Sequence, residues 1–215
     1  MLWSQSNFEK AEQLLESGKT DQARVVFENI VKDNPSQVKA IERLGDIAGQ
    51  NKSWDKALLY YKKAKQLQPT VAEYYFKYGG ALGMKAKSVN KFKALGMIDE
   101  IKSSFEKAVA LDPKHKESRW ALLMLYLELP GIIGGSETKA VAYSNELMRL
   151  SPLEGYLSKG YIDEYFGRNK KAELNYSKAF ELGKSKVAFQ KLYNLYAYKL
   201  KNLEKAQQLK EQFEK

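Results

Sequence analysis

Asp112, His115 and Ser118 stand close enough in the chain to put a carboxylate, an imidazole and a hydroxyl in one place, the parts of a nucleophile triad. A triad needs a buried acid that orients its imidazole. These three fall in Asp-Pro-Lys-His-Lys-Glu-Ser, where Lys114 and Lys116 flank the histidine, and such a stretch reads as a solvated turn. His115 is the one histidine and there is no cysteine, which excludes zinc fingers, multi-histidine metal sites, thiol chemistry and disulfides. The glycines of Leu129-Pro130-Gly131-Ile132-Ile133-Gly134-Gly135-Ser136 do not form a phosphate loop, since Ser136 stands where that pattern needs glycine. Backbone amides after Ser136 could hold an anion, but the expectation is structural, with Ile132 and Ile133 tucked into a neighbour. No acid cluster has calcium-loop spacing and no dinucleotide fingerprint is present. The expectation is a non-enzyme with no metal and no cofactor.

What remains is binding chemistry. Lys plus Arg outnumber Asp plus Glu by 36 to 26, a formal charge of +10, which allows an anionic partner without naming one. Lys85, Lys87, Lys91 and Lys93 lie in a stretch without an acid, and residues 184–215 hold eight lysines against three glutamates. Residues 1–31 lean the other way, with five acids and three bases. Aromatic residues are not interleaved with these lysines as a nucleic-acid stacking groove requires, so nucleic acid is the second choice.

The elements that must position these residues are set by a period. Prolines at 35, 69, 113 and 152 each follow a helix-like run, at intervals of 34, 44 and 39. Ala23 and Ala57 are 34 apart, as are Ala172 and Ala206, with Ala140 and Ile101 in the same place between them. Four residues after most of these comes an aromatic: Phe27, Tyr61, Phe105, Tyr176. That spacing puts small and aromatic side chains on one helical face. The preceding helices carry Leu44-Gly45 and Tyr78-Gly79, and a mid-helix glycine, which costs about 1 kcal/mol relative to alanine, marks close contact with a neighbour. Thr20 and Ser53 are placed to cap the helices that follow.

These residues resemble the tetratricopeptide repeat family, and the loop at 129–136 is similar to one found in a group of bacterial members. The resemblance implies an all-α, right-handed superhelical array of about six helix-turn-helix repeats, at roughly 4–37, 38–71, 72–115, 116–152, 153–186 and 187–215. One continuous domain over 1–215 is expected, with polar terminal helices closing both ends. The 44-residue interval holds about ten extra residues whose apolar positions, from Phe92 to Phe105, continue the stripe of the second helix, so one or both helices of that repeat should project beyond their neighbours. The fourth repeat departs from the pattern with Arg119 and Ser144 at aromatic positions. In the fifth, Asp163 falls at a buried position, which points to a slip of one residue.

The resemblance also implies a concave surface lined by the first helices. Its positions are filled by Phe8 and Glu12, Glu42 and Asp46, Phe76 and Gly80, Trp120 and Met124, Leu157 and Tyr161, then Lys191 and Leu195. Members that grip C-terminal carboxylates use Lys and Asn or Arg there, so the acids here argue against such a clamp. Phe76, Trp120, Met124 and Tyr161 beside Gly80 form an apolar strip suited to a peptide or protein segment, with Glu42 and Asp46 at its acidic end. Lysine-rich binding of an anionic surface and self-assembly are the alternatives. No run approaches the roughly 18 apolar residues of a membrane span. Leu2 to Gln5 are apolar then polar, as at the end of a cleaved export signal, which favours an exported protein over a cytoplasmic one.

Overall fold

The structure is a computed structural model that describes the backbone of residues 2–214 and side chains from residue 7 onward. The start at Leu2 to Gln5 therefore lies, in its side chains, outside the described residues. Every regular element among the described residues is helical. The first pair is α1 (Leu2–Glu16) and α2 (Thr20–Asp33), the second α3 (Val38–Gln50) and α4 (Trp54–Leu67). The third is α5 (Ala72–Ser88) and α7 (Ile98–Leu111), with the short α6 (Lys91–Leu95) between them. Then come α8 (Lys116–Glu128) with α9 (Glu137–Leu150), and α10 (Pro152–Tyr165) with α11 (Asn169–Gly183). Last, α12 (Lys186–Asn194) runs through a π-helical turn, Leu195–Lys199, toward α13 (Leu203–Glu214). This is the all-α architecture of helix-turn-helix repeats. Its contacts divide it into two compact units, residues 1–115 and 116–215, where the sequence reading expects one domain.

The period is a packing rule made visible. Ala23, Ala57, Ile101, Ala140, Ala172 and Ala206 are all buried, each at the same place on a second helix. Gly45, Gly79 and Gly160 each face the ring of that repeat's second helix. A Cβ at Gly45 would stand 2.5 Å from the Tyr61 ring and one at Gly79 2.9 Å from Phe105; at Gly160 it would overlap the Tyr176 ring. Gly160 thus sits where the period puts it, so the fifth repeat is not slipped. Asp163 is tolerated because Arg168 Nε donates to it at 2.8 Å and Asn175 Nδ2 at 3.0 Å. The fourth repeat reverses the sizes, with buried Leu123 at the glycine position and buried Ser144 at the aromatic one. The Ser144 and Ser158 hydroxyls meet at 2.7 Å, which satisfies polar groups that have no access to water.

Tyrosines at these positions bury a ring and find an acceptor for the hydroxyl. Tyr61 donates to Asp46 at 2.8 Å, Tyr176 to Glu164 at 2.8 Å and Tyr78 to Glu100 at 2.6 Å. Burial first, and the Glu100 carboxylate second, push Tyr78 up to about 12.

The turns differ from expectation in three places. Thr20 is already helical and Lys19 holds the cap position, while Ser53 holds its cap position without a side-chain bond. The side chains that do cap are Asn90, Ser136, Ser151, Ser185 and Asn202, each accepting from the amide three residues on. Second, the insertion is not a longer α7. Helix α5 gains about a turn, Val89 is extended, and α6 forms separately, so Phe92 is 88% exposed rather than part of a buried stripe. Asn90 explains the break, since its side chain accepts from Lys93 N at 3.0 Å and starts a new helix. Third, Ile132 is 95% exposed and tucks into nothing. Gly131–Ile133 form a 3₁₀ turn, closed by Gly134 at φ +102 and by Ser136 N donating to Tyr126 O at 2.8 Å. Ile133 is half-buried, so of the two isoleucines only Ile132 departs from the expected tuck.

Candidate functional site

The first helices carry the candidate residues, and the two units use them in opposite ways. In the unit of residues 1–115, α1, α3 and α5 are joined by ion pairs. Arg43 forks onto Glu12, Nε to Oε1 at 2.7 Å and Nη2 to Oε2 at 2.9 Å, and reaches Asp46 at 3.3 Å. Lys77 Nζ lies 2.7 Å from Glu42 and 2.8 Å from Asp46, with Lys39 also on Glu42 at 3.1 Å. The Glu42 side chain is only 8% exposed. Burial pushes its pKa up, but the hydrogen bonds and charges of Lys77 and Lys39 outweigh this and hold it below the ordinary carboxylate range. Burial likewise pulls Lys77 down, and Asp46 and Glu42 more than restore it, so it stays charged beyond the ordinary lysine range. Arg43 is raised by Glu12 foremost. Glu42 and Asp46 are therefore engaged in structural pairs.

Phe76 is half-buried beside the network, 6.0 Å from the Phe105 ring and 5.2 Å from His115. Gly80 opens onto space in which a Cβ would meet nothing within 4 Å. His115 is not solvated as its turn suggested: it is buried, with Nε2 3.3 Å from Glu73 Oε2. Its ring fills the space beside Phe76, and the lysines on either side of it supply the turn's polarity. Ser118 is buried at the start of α8, and Asp112 caps the turn by accepting from Lys114 N at 2.8 Å. Asp112 is thus used by the backbone, and the carboxylate beside the histidine is that of Glu73.

In the unit of residues 116–215, the first helices α8, α10 and α12 bring aromatic groups together. Trp120 donates its indole N–H to Glu154 at 2.7 Å and meets the Tyr161 ring edge-on at 6.1 Å. Lys191 Nζ lies 4.8 Å from the centre of the Tyr161 ring. Trp120 and Tyr161 are both half-buried, and Met124, one helical turn beyond Trp120, is 36% exposed. Leu157 and Leu195, at positions expected to face the surface, belong to the core instead. Arg119 is buried and donates from Nε to Glu146 at 2.8 Å, a structural role.

Arg43, Lys77 and Glu154 escaped the sequence reading, whereas Lys191 stood among its first-helix positions. A signal was present for the first three: Arg43 and Lys77 each follow their acids by roughly one repeat, as Glu154 follows Trp120. Residues one period apart sit side by side on adjacent first helices.

Lys91 and Lys93 are exposed on α6, and Lys85 pairs with Asp55 across to α4. Among the described residues no three acids or histidines gather as metal ligands. No described helix is long and apolar enough to cross a membrane.

Comparison with known proteins agrees with this architecture. Residues 3–72 match the family model described as tetratricopeptide repeat. A relative, the mouse (Mus musculus) protein O-mannosyl-transferase TMTC1, is 27% identical over 148 residues, which is 66% of this chain. The chain spans only 14% of that relative's length. Among solved structures, a thermophilic TPR protein of Thermus thermophilus superposes with a TM-score of 0.71 at 21% identity, covering 92% of this chain and 98% of that one. YrrB, a TPR protein with an unusual peptide-binding site, gives 0.57 at 15% identity over 86% of this chain and 89% of its own. At such identities the solved structures speak for the fold alone. Residues 3–72 thus match tetratricopeptide repeats, and the chain as a whole shares the fold of tetratricopeptide repeat proteins.

Proposed function

We propose that this protein is a non-catalytic scaffold that holds a peptide or protein segment against the first helices of residues 116–215. The observation that carries this is the pair of Trp120 and Tyr161, with Met124 one turn along α8: rings fixed by Glu154 and by each other, with part of the apolar surface left open. Rigid aromatic anchors lose little entropy on binding, and methionine adapts to varied side chains. Lys191 over Tyr161 adds a cation at the edge, which suits a segment with an acidic residue next to its apolar anchor. Phe76 and Gly80 offer a second open place in the other unit. Glu42 and Asp46 serve this reading as part of the frame of their own unit, since Lys77 and Arg43 neutralise them.

The transferase activity named for the mouse relative is not carried over under this reading, because the chain spans only 14% of that relative's length. The test is selection of short peptides from a random library on the full chain. Selected peptides should share an apolar residue, and Trp120→Ala with Tyr161→Ala should weaken them by roughly ten-fold or more while the helical circular dichroism is kept. Peptides that bind the double variant unchanged would exclude this site.

A further inference from the structure

The segment 84–97 is used by neither the core nor the first-helix surface, yet it has a fixed shape. Ser88 Oγ donates to Lys85 O at 2.8 Å and closes α5; Asn90 then caps α6. The ion pair of Lys85 with Asp55 ties its base to the start of α4. On α6, Phe92 and Leu95 lie three residues apart and share one face, 88% and 44% exposed. Lys91 and Lys93 flank Phe92, so their ammonium groups splay to either side of the apolar face. Met84 adds a third exposed apolar side chain. At the base lies a cleft of about 410 Å³ whose lining includes Lys52, Lys56 and Lys85. No acid occurs between Met84 and Ile98; the nearest are Asp99, at the start of α7, and Asp55, already paired.

We propose that this insertion is a docking element for an anionic lipid surface, with Phe92 and Leu95 entering the interface and Lys91 and Lys93 meeting the lipid phosphates. Charge complementarity selects an anionic partner, and the apolar tip selects lipid among anions. A nucleic acid could stack on Phe92 but gains nothing from Leu95, whereas both enter an acyl interface. A membrane also explains why the apolar and basic groups share one short projection: lysines near an anionic leaflet and a shallow aromatic wedge act together, and each alone binds weakly.

The test is vesicle flotation of the full chain with phosphatidylcholine alone and with phosphatidylcholine plus phosphatidylglycerol. Wild-type protein should float with the anionic vesicles and not with the neutral ones, and should be released by salt. Phe92→Ser with Leu95→Ser should cut flotation by about five-fold, and Lys91→Glu with Lys93→Glu should abolish it. All four side chains are exposed, so circular dichroism should show both variants folded. The proposal is overturned if wild-type protein fails to float with anionic vesicles or if the serine variant floats as well as wild type. It is equally overturned if the protein shifts a single-stranded oligonucleotide through these lysines while ignoring the vesicles.

Discussion

The same helical positions are spent differently in the two units. In residues 1–115, the first helices face one another through Glu12, Arg43, Asp46, Lys77 and Glu42, an almost closed set of charges. In residues 116–215, the corresponding helices meet through Trp120 and Tyr161, with Glu154 and Lys191 at their edges. A closed ion-pair network has little left to offer a ligand, because each carboxylate already has its cation and desolvating the set again would cost more than a new contact returns. An aromatic cluster with open edges has the reverse property. On the proposed reading, the repeat array separates the surface that fixes its helices from the surface offered to a bound segment.

The largest effect should come from breaking the network at its most buried cation. Lys77→Met leaves Glu42 and Asp46 facing each other without it, and should cost about 3 kcal/mol of stability, read from urea unfolding. Affinity for selected peptides should stay unchanged in the folded protein. A loss of affinity equal to that of Trp120→Ala would erase the contrast between the units.

Acid should act on the same network next. Glu42 is held below the ordinary carboxylate range when folded, so the unfolded chain binds a proton at higher pH than the folded one. Its stabilisation is complete above the ordinary glutamate range and is lost as pH falls through the folded value. The urea midpoint should therefore decline at acid pH, and Glu42→Gln should make that decline shallower. Lys77, shifted upward, adds stability that is lost only as pH rises above the ordinary lysine range.

The smallest effect should be shared by both units. Lys52 and Lys201 take φ of 54 and 53 at turns before second helices, where Gly18 and Gly167 stand in other repeats. Lys52→Gly and Lys201→Gly should each raise stability by about 1 kcal/mol, measured by thermal unfolding. Opposite signs in the two units would mean that one of these lysines has a structural role beyond its backbone.

The fold was legible because the period is a packing constraint written in small and large residues. Ala57 with Tyr61 and Gly45 shows it, since no other sizes fit the approach of those helices. Where sizes trade places, as in Leu123 and Ser144, the pattern hides although the packing rule still holds. The insertion misled because Phe92, Leu95 and Ile98 keep helical spacing, while the decisive residue was the polar Asn90, which starts a new helix. The candidate site was half legible. Trp120, Tyr161 and Met124 could be placed on first helices from the period, but the solvation of Glu42 and Asp46 depended on Lys77 and Arg43, roughly one repeat away. Charge arithmetic along the chain treats such pairs as separate, whereas the fold sets them side by side.

The most direct test of the separation of binding from fixing is calorimetric titration of one selected peptide into wild-type protein and into Trp120→Ala with Tyr161→Ala. Submillimolar binding to wild type is expected, weakened at least about ten-fold in the double variant at unchanged helicity. Equal affinity for both proteins would contradict the separation.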